Sequence, residues 1–298
     1  MSNWQKPSLK RQLFDLFRSL FQNKLFERIL IKFVSNREYG LAITKIVPNH
    51  YQYAKNTYRY AKRNKINYKL DLSDIIDWFI YFDFKETSKN NLFQLANKGD
   101  TVIDIGGNIG EISMNFASIV GDSGNVHSFE PHPINLKRFK NNLSLNDFNN
   151  IILNEQALGN EKGIFQLLII DENNYGRNRI TTTVEEKKEN KLVEDVQVIL
   201  LDDYVKKCKV EKVDLIKIDV EGFEMNVLKG AKNILGIYHP VLFIEVDDNN
   251  LRLQNSSSEE LVEFLMAYDY ILFFAHNNKA IPKNYNYSNC HFDLLAKK

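Results

Sequence analysis

From Thr101 onward, the chain alternates between short apolar runs and segments whose apolar residues recur at helical spacing. The runs predict five buried strands, at 102–105, 125–130, 151–157, 213–219 and 241–246. The periodic segments predict helices at 112–120, 133–146 and about 223–235. Two final strands are expected at 270–275 and 292–296. This alternation is typical of a doubly wound α/β fold, with a mostly parallel sheet covered on both faces.

The first apolar run ends in a glycine-rich turn, DIGGNIG at 104–110. Strand, glycine turn and helix form a nucleotide-binding corner, because glycines admit a ligand close to the backbone. The dinucleotide fingerprint G-x-G-x-x-G is not met, since Ile105 stands at its first glycine. A carboxylate at Asp104 would repel a pyrophosphate but attract the ammonium group of S-adenosylmethionine. A purely structural turn is the alternative.

Acidic residues stand at the carboxyl ends of four of the five predicted parallel strands. Asp104, Glu130, Asp219 and Glu245 end the first, second, fourth and fifth strands. In a doubly wound sheet, ligands bind outside these ends where the strand order reverses, here between the first and fourth strands. We therefore expect Asp104 and Asp219 to be neighbours. Glu130 is placed to accept ribose hydroxyls, unless it is only a solvated strand-end acid.

Several segments carry more specific motifs: FEPHPINLKRFKNNLSLN at 129–146, ALG at 157–159, LDDY at 201–204 and KIDVEGFEMNVLKGA at 217–231. With DIGGNIG, they make the chain from about residue 77 to 298 resemble the FkbM family of S-adenosylmethionine-dependent methyltransferases. Gly107 and Glu111 depart from the family pattern. The resemblance implies a Rossmann-like class I methyltransferase with a seven-stranded sheet, an antiparallel last strand and mostly O-methyl transfer.

The resemblance also implies which residues bind the methyl donor: Asp104, Gly106, Asn108, Gly110, Glu130, Gln156, Ala157 and Glu86. Asp219 and Glu221 are expected near the acceptor. A carboxylate with an ordinary pKa of about 4 is a weak base for a hydroxyl, so Lys217 and His239 are candidate bases. Asp219 and Glu245 are candidate Mg²⁺ ligands instead. In the structural alternatives, Lys217 only pairs with Asp219, and His239 is a loop histidine.

Charge divides the chain near residue 70. Residues 1–70 contain 15 Lys and Arg against 3 Asp and Glu, whereas residues 71–298 contain 24 against 35. This asymmetry predicts a basic, helical N-terminal region, 1–70, appended to a methyltransferase domain, 71–298. The helical segment 9–34 carries a wide apolar face with basic residues beside it. It either lies on an anionic membrane surface or, more simply, packs on the domain or a second subunit.

Two stretches are candidates for acceptor contacts. Residues 50–69 interleave tyrosines with basic residues, which suits sugars, nucleobases or phosphates but also a solvated face. The GRNR segment at 176–179 lies in a polar insert, 171–192. Two cysteines, no predicted signal peptide and no apolar run near the ~20 residues of a membrane span suggest a cytoplasmic protein. Any membrane contact is then expected to be peripheral, at the inner face.

These features support a leading hypothesis and two alternatives. The leading hypothesis is an S-adenosylmethionine-dependent O-methyltransferase acting on a sugar, glycan or glycolipid intermediate. One alternative is a methyltransferase on RNA or a small metabolite. The other is a membrane- or partner-docking protein with an inactive cofactor pocket. DNA is not expected as a partner, and a homo-oligomer stays open.

Overall fold

In the computed structural model, the structure describes residues 8–170, 176, 178–181 and 193–298. Most of the 171–192 insert, including part of its GRNR segment, lies outside the described residues. The chain forms two compact units, residues 1–86 and 87–298. Among the helices of the described ranges, none combines the length and apolar character needed to cross a bilayer.

The N-terminal unit combines helices with a β-hairpin. Its elements are α1 (Leu9–Ser19), α2 (Lys24–Val34), 3₁₀ turns at Thr44–Ile46 and His50–Gln52, β1 (Tyr58–Arg63), β2 (Ile66–Asp71) and α3 (Ile75–Phe82). The helical segment predicted at 9–34 is therefore two helices. The side chain of Asn23 makes the break by capping α2, accepting hydrogen bonds from the backbone N–H groups of Leu25 and Phe26.

Residues 58–71 form an antiparallel hairpin, so the N-terminal region is not helical throughout. Its two-residue turn, Asn64 and Lys65, has positive φ at both positions, as the tight turns that match strand twist require. Ile66, Tyr68 and Leu70 are buried at alternate positions of β2. This period of two is short, and the basic residues of the hairpin, Arg59, Lys62, Arg63, Lys65 and Lys69, favoured a solvated surface instead. The charge boundary near residue 70 falls at the end of β2, within the unit.

The C-terminal unit is built on an eight-stranded sheet. Its elements in chain order are α4 (Thr87–Phe93), β3 (Thr101–Ile105), α5 (Glu111–Val120), β4 (Asn125–Phe129), α6 (Pro133–Leu143), β5 (Ile151–Asn154), β6 (Ala157–Leu158), β7 (Gly163–Leu168), β8 (Arg179–Thr181), β9 (Val193–Ile199), α7 (Leu201–Cys208), β10 (Leu215–Ile218), α8 (Glu224–Lys229), α9 (Lys232–Ile237), β11 (Val241–Asp247), α10 (Asp248–Leu253), α11 (Ser258–Met266), β12 (Ile271–Phe274), β13 (Lys279–Ala280) and β14 (His291–Lys297).

The strand order of this sheet is β13-β12-β14-β11-β10-β3-β4-β5. The five strands from β11 to β5 are parallel, and β14 runs antiparallel to β11. The predicted doubly wound, mostly parallel sheet is confirmed, as is its antiparallel last strand. The eighth strand is β13, a two-residue edge strand paired with β12. Because β3 lies beside both β10 and β4, the strand order reverses where it was expected to.

A second sheet, in the order β6-β9-β7-β8, accounts for one difference from the predicted elements. The third strand was expected to run from 151 to 157, but β5 ends at Asn154. Ala157 and Leu158 instead pair with Val198 and Ile199 of β9. Both segments are apolar, so the sequence pattern alone does not show the change of sheet.

Apolar side chains fill both faces of the central strands. Ile103 and Ile105 of β3 pack on one face with Ile216 and Ile218, while Val102 packs on the other with Phe116. All five residues of β3 are buried. The polar groups of these strands are therefore concentrated at their carboxyl ends, where the candidate site lies.

Candidate active site

Lys217 links the two acids that the strand order brings together. Residues Lys217 and Asp104 are directly opposite each other in the parallel pair β10–β3. The Nζ atom of Lys217 lies 3.6 Å from Asp104 Oδ1 and 3.3 Å from Asp219 Oδ2. It also donates a hydrogen bond to the carbonyl of Gly106 at 3.0 Å. A buried cation thus holds both carboxylates and the first residue of the glycine turn.

The electrostatics of Lys217 favour the role of a counterion over that of a general base. Burial lowers the pKa of Lys217, but the carboxylates of Asp219 and Asp104 outweigh burial and raise it above the ordinary lysine value. The amine is therefore protonated at neutral pH and has no free lone pair. The contacts of Lys217 favour the structural alternative, in which it pairs with Asp219, and its role as a base stays a prediction.

Asp104 is fully buried, and burial raises its pKa against the opposing effects of Lys217 and Ser113. Its Oδ2 atom accepts a hydrogen bond from the Ser113 hydroxyl. Its Oδ1 atom is 3.6 Å from Lys217 Nζ, which is long for a hydrogen bond, and no other donor of the described residues reaches it. One oxygen of Asp104 is left as an unsatisfied acceptor.

The glycine turn passes so close to β10 that its first residue has no room for a side chain. A Cβ atom on Gly106 would lie 2.0 Å from the carbonyl oxygen of Asp219, and its φ of 86° is in the region that favours glycine. At Gly107, a Cβ would lie 2.3 Å from Ser128 Oγ. At this position, where the sequence departs from the family pattern, the space that a side chain would need is taken by Ser128 of the neighbouring strand. Gly110 forms the N-cap of α5.

Glu130 fastens the turn to the end of β4. Its Oε2 atom accepts a hydrogen bond from the backbone N–H of Asn108 at 2.7 Å, and its Oε1 atom accepts one from His132 at 2.9 Å. Burial raises the pKa of Glu130 to about 7. Asn135 Nδ2 is a second donor to Oε1 at 3.5 Å, whereas Oε2 keeps a second lone pair with which Glu130 can accept a ligand hydroxyl.

Three acids gather beyond the turn. Asp219, Glu221 and Glu245 each offer a carboxylate oxygen, and these atoms lie within 4.8 Å of one another. Glu221 is held by Asn250, whose Nδ2 donates to Glu221 Oε2 at 2.9 Å. The charge of Asp219, followed by burial, raises the pKa of Glu245 to about 7. Sequence reasoning paired Asp219 with Glu245 but assigned Glu221 only to the acceptor.

Two polar residues of the last strand complete this group and were missed from the sequence. Because β14 pairs with β11, Asp293 lies opposite Glu245, and His291 lies opposite Asp247. His291 Nε2 is 3.5 Å from Glu245 Oε1. The hydrogen bond to Glu245 raises the pKa of His291 to about 9, so it is a cation at neutral pH. The available signal was the spacing of two between His291 and Asp293 at the start of a strand.

Other candidates do not join this group. His239 immediately precedes β11 at its amino end, where its Nδ1 atom lies 2.7 Å from the carbonyl of Leu235. The acids lie at the carboxyl ends, and Glu245 is six residues after His239, about 20 Å along an extended strand. His239 therefore does not reach a hydroxyl held by them, and its candidate role as a base is corrected.

The remaining donor-site candidates stay predictions. Ala157 is buried in β6, and Gln156 Nε2 lies 3.4 Å from Gln197 Oε1. Glu86 is the last residue of the N-terminal unit. Glu224 is buried and accepts hydrogen bonds from the backbone N–H groups of Val220 and Gly222. It braces the loop that carries Asp219 and Glu221.

Comparison with known proteins assigns this architecture to a family. The model of the methyltransferase FkbM domain matches residues 104–272, which is more than half of the chain. The chain belongs to the FkbM methyltransferase family. The FkbM match begins at Asp104 and includes the glycine turn, Glu130, the three gathered acids and β11. The family match therefore identifies the chain as an S-adenosylmethionine-dependent methyltransferase.

Individual relatives are more distant. The FkbM chain is 27% identical over 203 residues to methyltransferase sdnD of Sordaria araneosa, covering 59% of this chain and 76% of that protein. It is 31% identical over 146 residues to the hexuronic acid methyltransferase AglP of Haloferax volcanii, covering 48% and 55%. A solved methyltransferase FkbM from Methylobacillus flagellatus KT aligns with a TM-score of 0.44 at 13% identity, over 95% of this chain and 60% of that one.

The residues of the FkbM domain fit the methyl donor of the family. S-adenosylmethionine supplies an electrophilic methyl group attached to a sulfonium. Its ammonium matches the unsatisfied Asp104 Oδ1 atom, and its ribose matches the spare lone pair of Glu130 Oε2. The turn at Gly106 brings the backbone, rather than side chains, to this edge.

Proposed function

We propose that the chain transfers a methyl group to a hydroxyl of a sugar, glycan or glycolipid intermediate. The single observation that carries the proposal is the group of Asp219, Glu221 and Glu245 beside the glycine turn. Carboxylates suit an acceptor that is rich in hydroxyl groups, because each oxygen accepts hydrogen bonds from such donors. AglP, named as a hexuronic acid methyltransferase, supports a sugar acceptor.

Glu245 is the residue that we propose to remove the hydroxyl proton. An efficient base has a pKa near the working pH, and Glu245 meets this condition because Asp219 and burial raise its pKa to about 7. His291, 3.5 Å away, stays protonated and orients the carboxylate. An adjacent cation also stabilises the ionised base. In this proposal, a carboxylate supplies the base in place of Lys217 or His239.

A divalent cation is an alternative use of the same residues. Asp219, Glu221 and Glu245 would hold it, and their oxygen atoms are ligands that Mg²⁺ accepts. A cation would lower the pKa of an acceptor hydroxyl and so reduce the need for a protein base. The two versions differ in their response to a chelator, which abolishes activity only in the metal version.

Methyl transfer from labelled S-adenosylmethionine to a panel of acceptors tests the proposal. The panel contains hexuronic acids, neutral sugars, glycolipids and total RNA, each with and without EDTA. We expect label in a sugar-containing fraction as a methyl ether. Glu245→Gln should lower the rate about 100-fold, the usual contribution of a general base. Exposed Glu263→Gln in α11 is the matched control and should keep full activity.

Three outcomes would contradict the proposal. If the labelled methyl group is found only in RNA, or is attached to nitrogen, the acceptor is not the hydroxyl of a sugar. Donor binding without transfer to any fraction would favour a docking protein with an inactive site. Full activity of Glu245→Gln, with and without EDTA, would remove Glu245 from both versions of the chemistry.

A further inference from the structure

Helix α1 presents its apolar face to solvent. Five residues at helical spacing form this face: Leu9, Leu13, Leu16, Phe17 and Leu20. All five are exposed; Leu9, Leu16 and the C-cap residue Leu20 show about two thirds of their surface or slightly more, at 72%, 67% and 66%. A surface helix of a globular protein normally directs such a face to the core. The orientation of α1 is therefore inverted.

The polar side of α1 explains this orientation, because it is anchored in the unit. Arg18 is only 7% exposed, donates through Nε to the carbonyl of Lys45 at 2.6 Å and pairs with Asp15 at 3.0 Å. The carbonyl of Asp15 accepts from Gln52 Nε2 at 2.8 Å, and its carboxylate accepts from the Tyr51 hydroxyl. These hydrogen bonds fix the polar side inward and leave the apolar side outward.

Helix α2 adds a second apolar stripe with positive charges beside it. Its buried side is Glu27, Leu30 and Val34. A different side shows the exposed residues Leu25, Ile29 and Phe33, spaced by four. The residues one position earlier are Lys24, Arg28 and Lys32, which are also exposed. Two parallel stripes, one apolar and one basic, therefore run along the solvent side of α2.

We propose that this outward face of α1 and α2 docks on the surface of a membrane that contains anionic phospholipid. Apolar side chains insert into the boundary of headgroups and acyl chains, while the basic stripe meets lipid phosphates. The charge of the N-terminal unit is complementary to such a surface, with 16 Lys and Arg against 8 Asp and Glu in residues 1–86. Each helix would contribute its own exposed apolar side, and neither helix is long and apolar enough to cross a bilayer, so the proposed attachment is peripheral.

A second copy of the chain fits this face less well. A twofold interface repeats the same patch on both partners, so it would place two basic stripes in or beside one contact without adding acids to balance them. Lys24, Arg28 and Lys32 form no ion pair with any described acid that would neutralise them. An anionic lipid surface satisfies the apolar and basic stripes together.

Co-sedimentation of the full chain with vesicles tests the proposal. One set is pure phosphatidylcholine, and the other is equal parts phosphatidylcholine and phosphatidylglycerol. We expect binding to the second set that weakens as salt increases. The variant Lys24→Gln/Arg28→Gln/Lys32→Gln should bind about 100-fold more weakly, roughly fivefold for each charge. Leu16→Gln/Phe33→Gln should lose at least about tenfold, because apolar area no longer inserts.

Matched controls test whether vesicle binding depends on the exposed sides of α1 and α2 or on any exposed positive charge or apolar side chain. Lys206→Gln/Lys207→Gln/Lys229→Gln removes three exposed charges from the C-terminal unit, and Ile164→Gln/Ile237→Gln replaces two side chains that are each 68% exposed. Both controls should bind vesicles like the unchanged chain. The proposal is overturned if anionic vesicles retain no protein, or if α1 and α2 variants bind as well as the controls. A dimer in sedimentation velocity that only Leu16→Gln/Phe33→Gln dissociates, without vesicle binding, would assign the face to a second copy.

Discussion

Individual side chains in the candidate site act through burial and charge rather than through unusual chemistry. Lys217 is the clearest case, because one cation serves Asp104, Asp219 and a backbone carbonyl at once. Buried carboxylates without a partner cost several kcal/mol each, so the donor site depends on this lysine for its stability. Its function is positional.

Replacing Lys217 by Met should destabilise the fold by about 3–5 kcal/mol at pH 7, because Asp104 keeps its hydrogen bond from Ser113 but loses the cation that balances its buried charge. The loss should shrink at lower pH, where Asp104 takes up a proton and the uncompensated charge disappears. Urea unfolding of the variant and of the unchanged chain, at pH 7 and at a lower pH, measures this loss of stability. Lys212→Met, which breaks an exposed pair with Asp214, should cost less than about 1 kcal/mol. Equal losses for both variants would contradict the role of Lys217.

Glu224 predicts a pH dependence of stability. Burial raises its pKa to about 8, above the value of about 4.3 for an exposed glutamate. The folded state therefore keeps a proton that the unfolded state releases, and the stabilisation from this group is present at low pH and lost as pH rises through 8. Between the two pKa values, the free energy of unfolding should fall by up to about 1.4 kcal/mol per pH unit.

The variant Glu224→Gln isolates this contribution, since an amide oxygen can still accept from Val220 and Gly222. Relative to the unchanged chain, the variant should gain stability steadily from pH 5 to pH 8. Chemical unfolding at intervals across that range is the measurement. Glu263→Gln, an exposed substitution of the same kind, should leave the pH dependence unaltered. A parallel pair of curves for Glu224→Gln and the unchanged chain would refute the assignment.

Strong local patterns determine which elements could be predicted from the sequence. The unit β3–turn–α5 follows directly from an apolar run, three glycines and a periodic segment. The change of sheet after Asn154 and the hairpin at 58–71 follow from pairings with partners that local periodicity does not identify. The same reason explains the site: Asp104 and Asp219 follow from strand order, whereas His291 and Asp293 depend on the register of β14 against β11.

The turn after β3 should tolerate no side chain at Gly106. In Gly106→Ala, the new Cβ meets the Asp219 carbonyl at 2.0 Å, so the turn or β10 must shift. We expect a loss of more than about 2 kcal/mol of stability and at least tenfold weaker binding of S-adenosylmethionine in calorimetry. Gly121→Ala also has positive φ, with ψ at −171°, but has nothing within 4 Å, so it should cost only the backbone strain, about 1–3 kcal/mol, and leave binding intact. Unchanged donor binding in Gly106→Ala would contradict the close fit of this turn.

At the scale of the whole molecule, charge and function are separated between the two units. The C-terminal unit carries the methyltransferase motifs and an excess of acids, and the N-terminal unit carries the excess of bases. The family match covers only the C-terminal unit. The residues carried over from the family as donor-binding therefore lie mostly in the C-terminal unit and stay predictions, and the attachment of the N-terminal unit has to be argued from its own surface.

The outward orientation of α1 has a practical consequence for purification. A leucine-rich surface freely open to water favours self-association as protein concentration rises, and this tendency is strongest in buffers that salt out apolar groups. A mild detergent above its micelle threshold should keep the protein dispersed, because it occupies the face that carries Leu9 and Leu20. Extraction from broken cells without detergent would then leave much of the enzyme in the pellet.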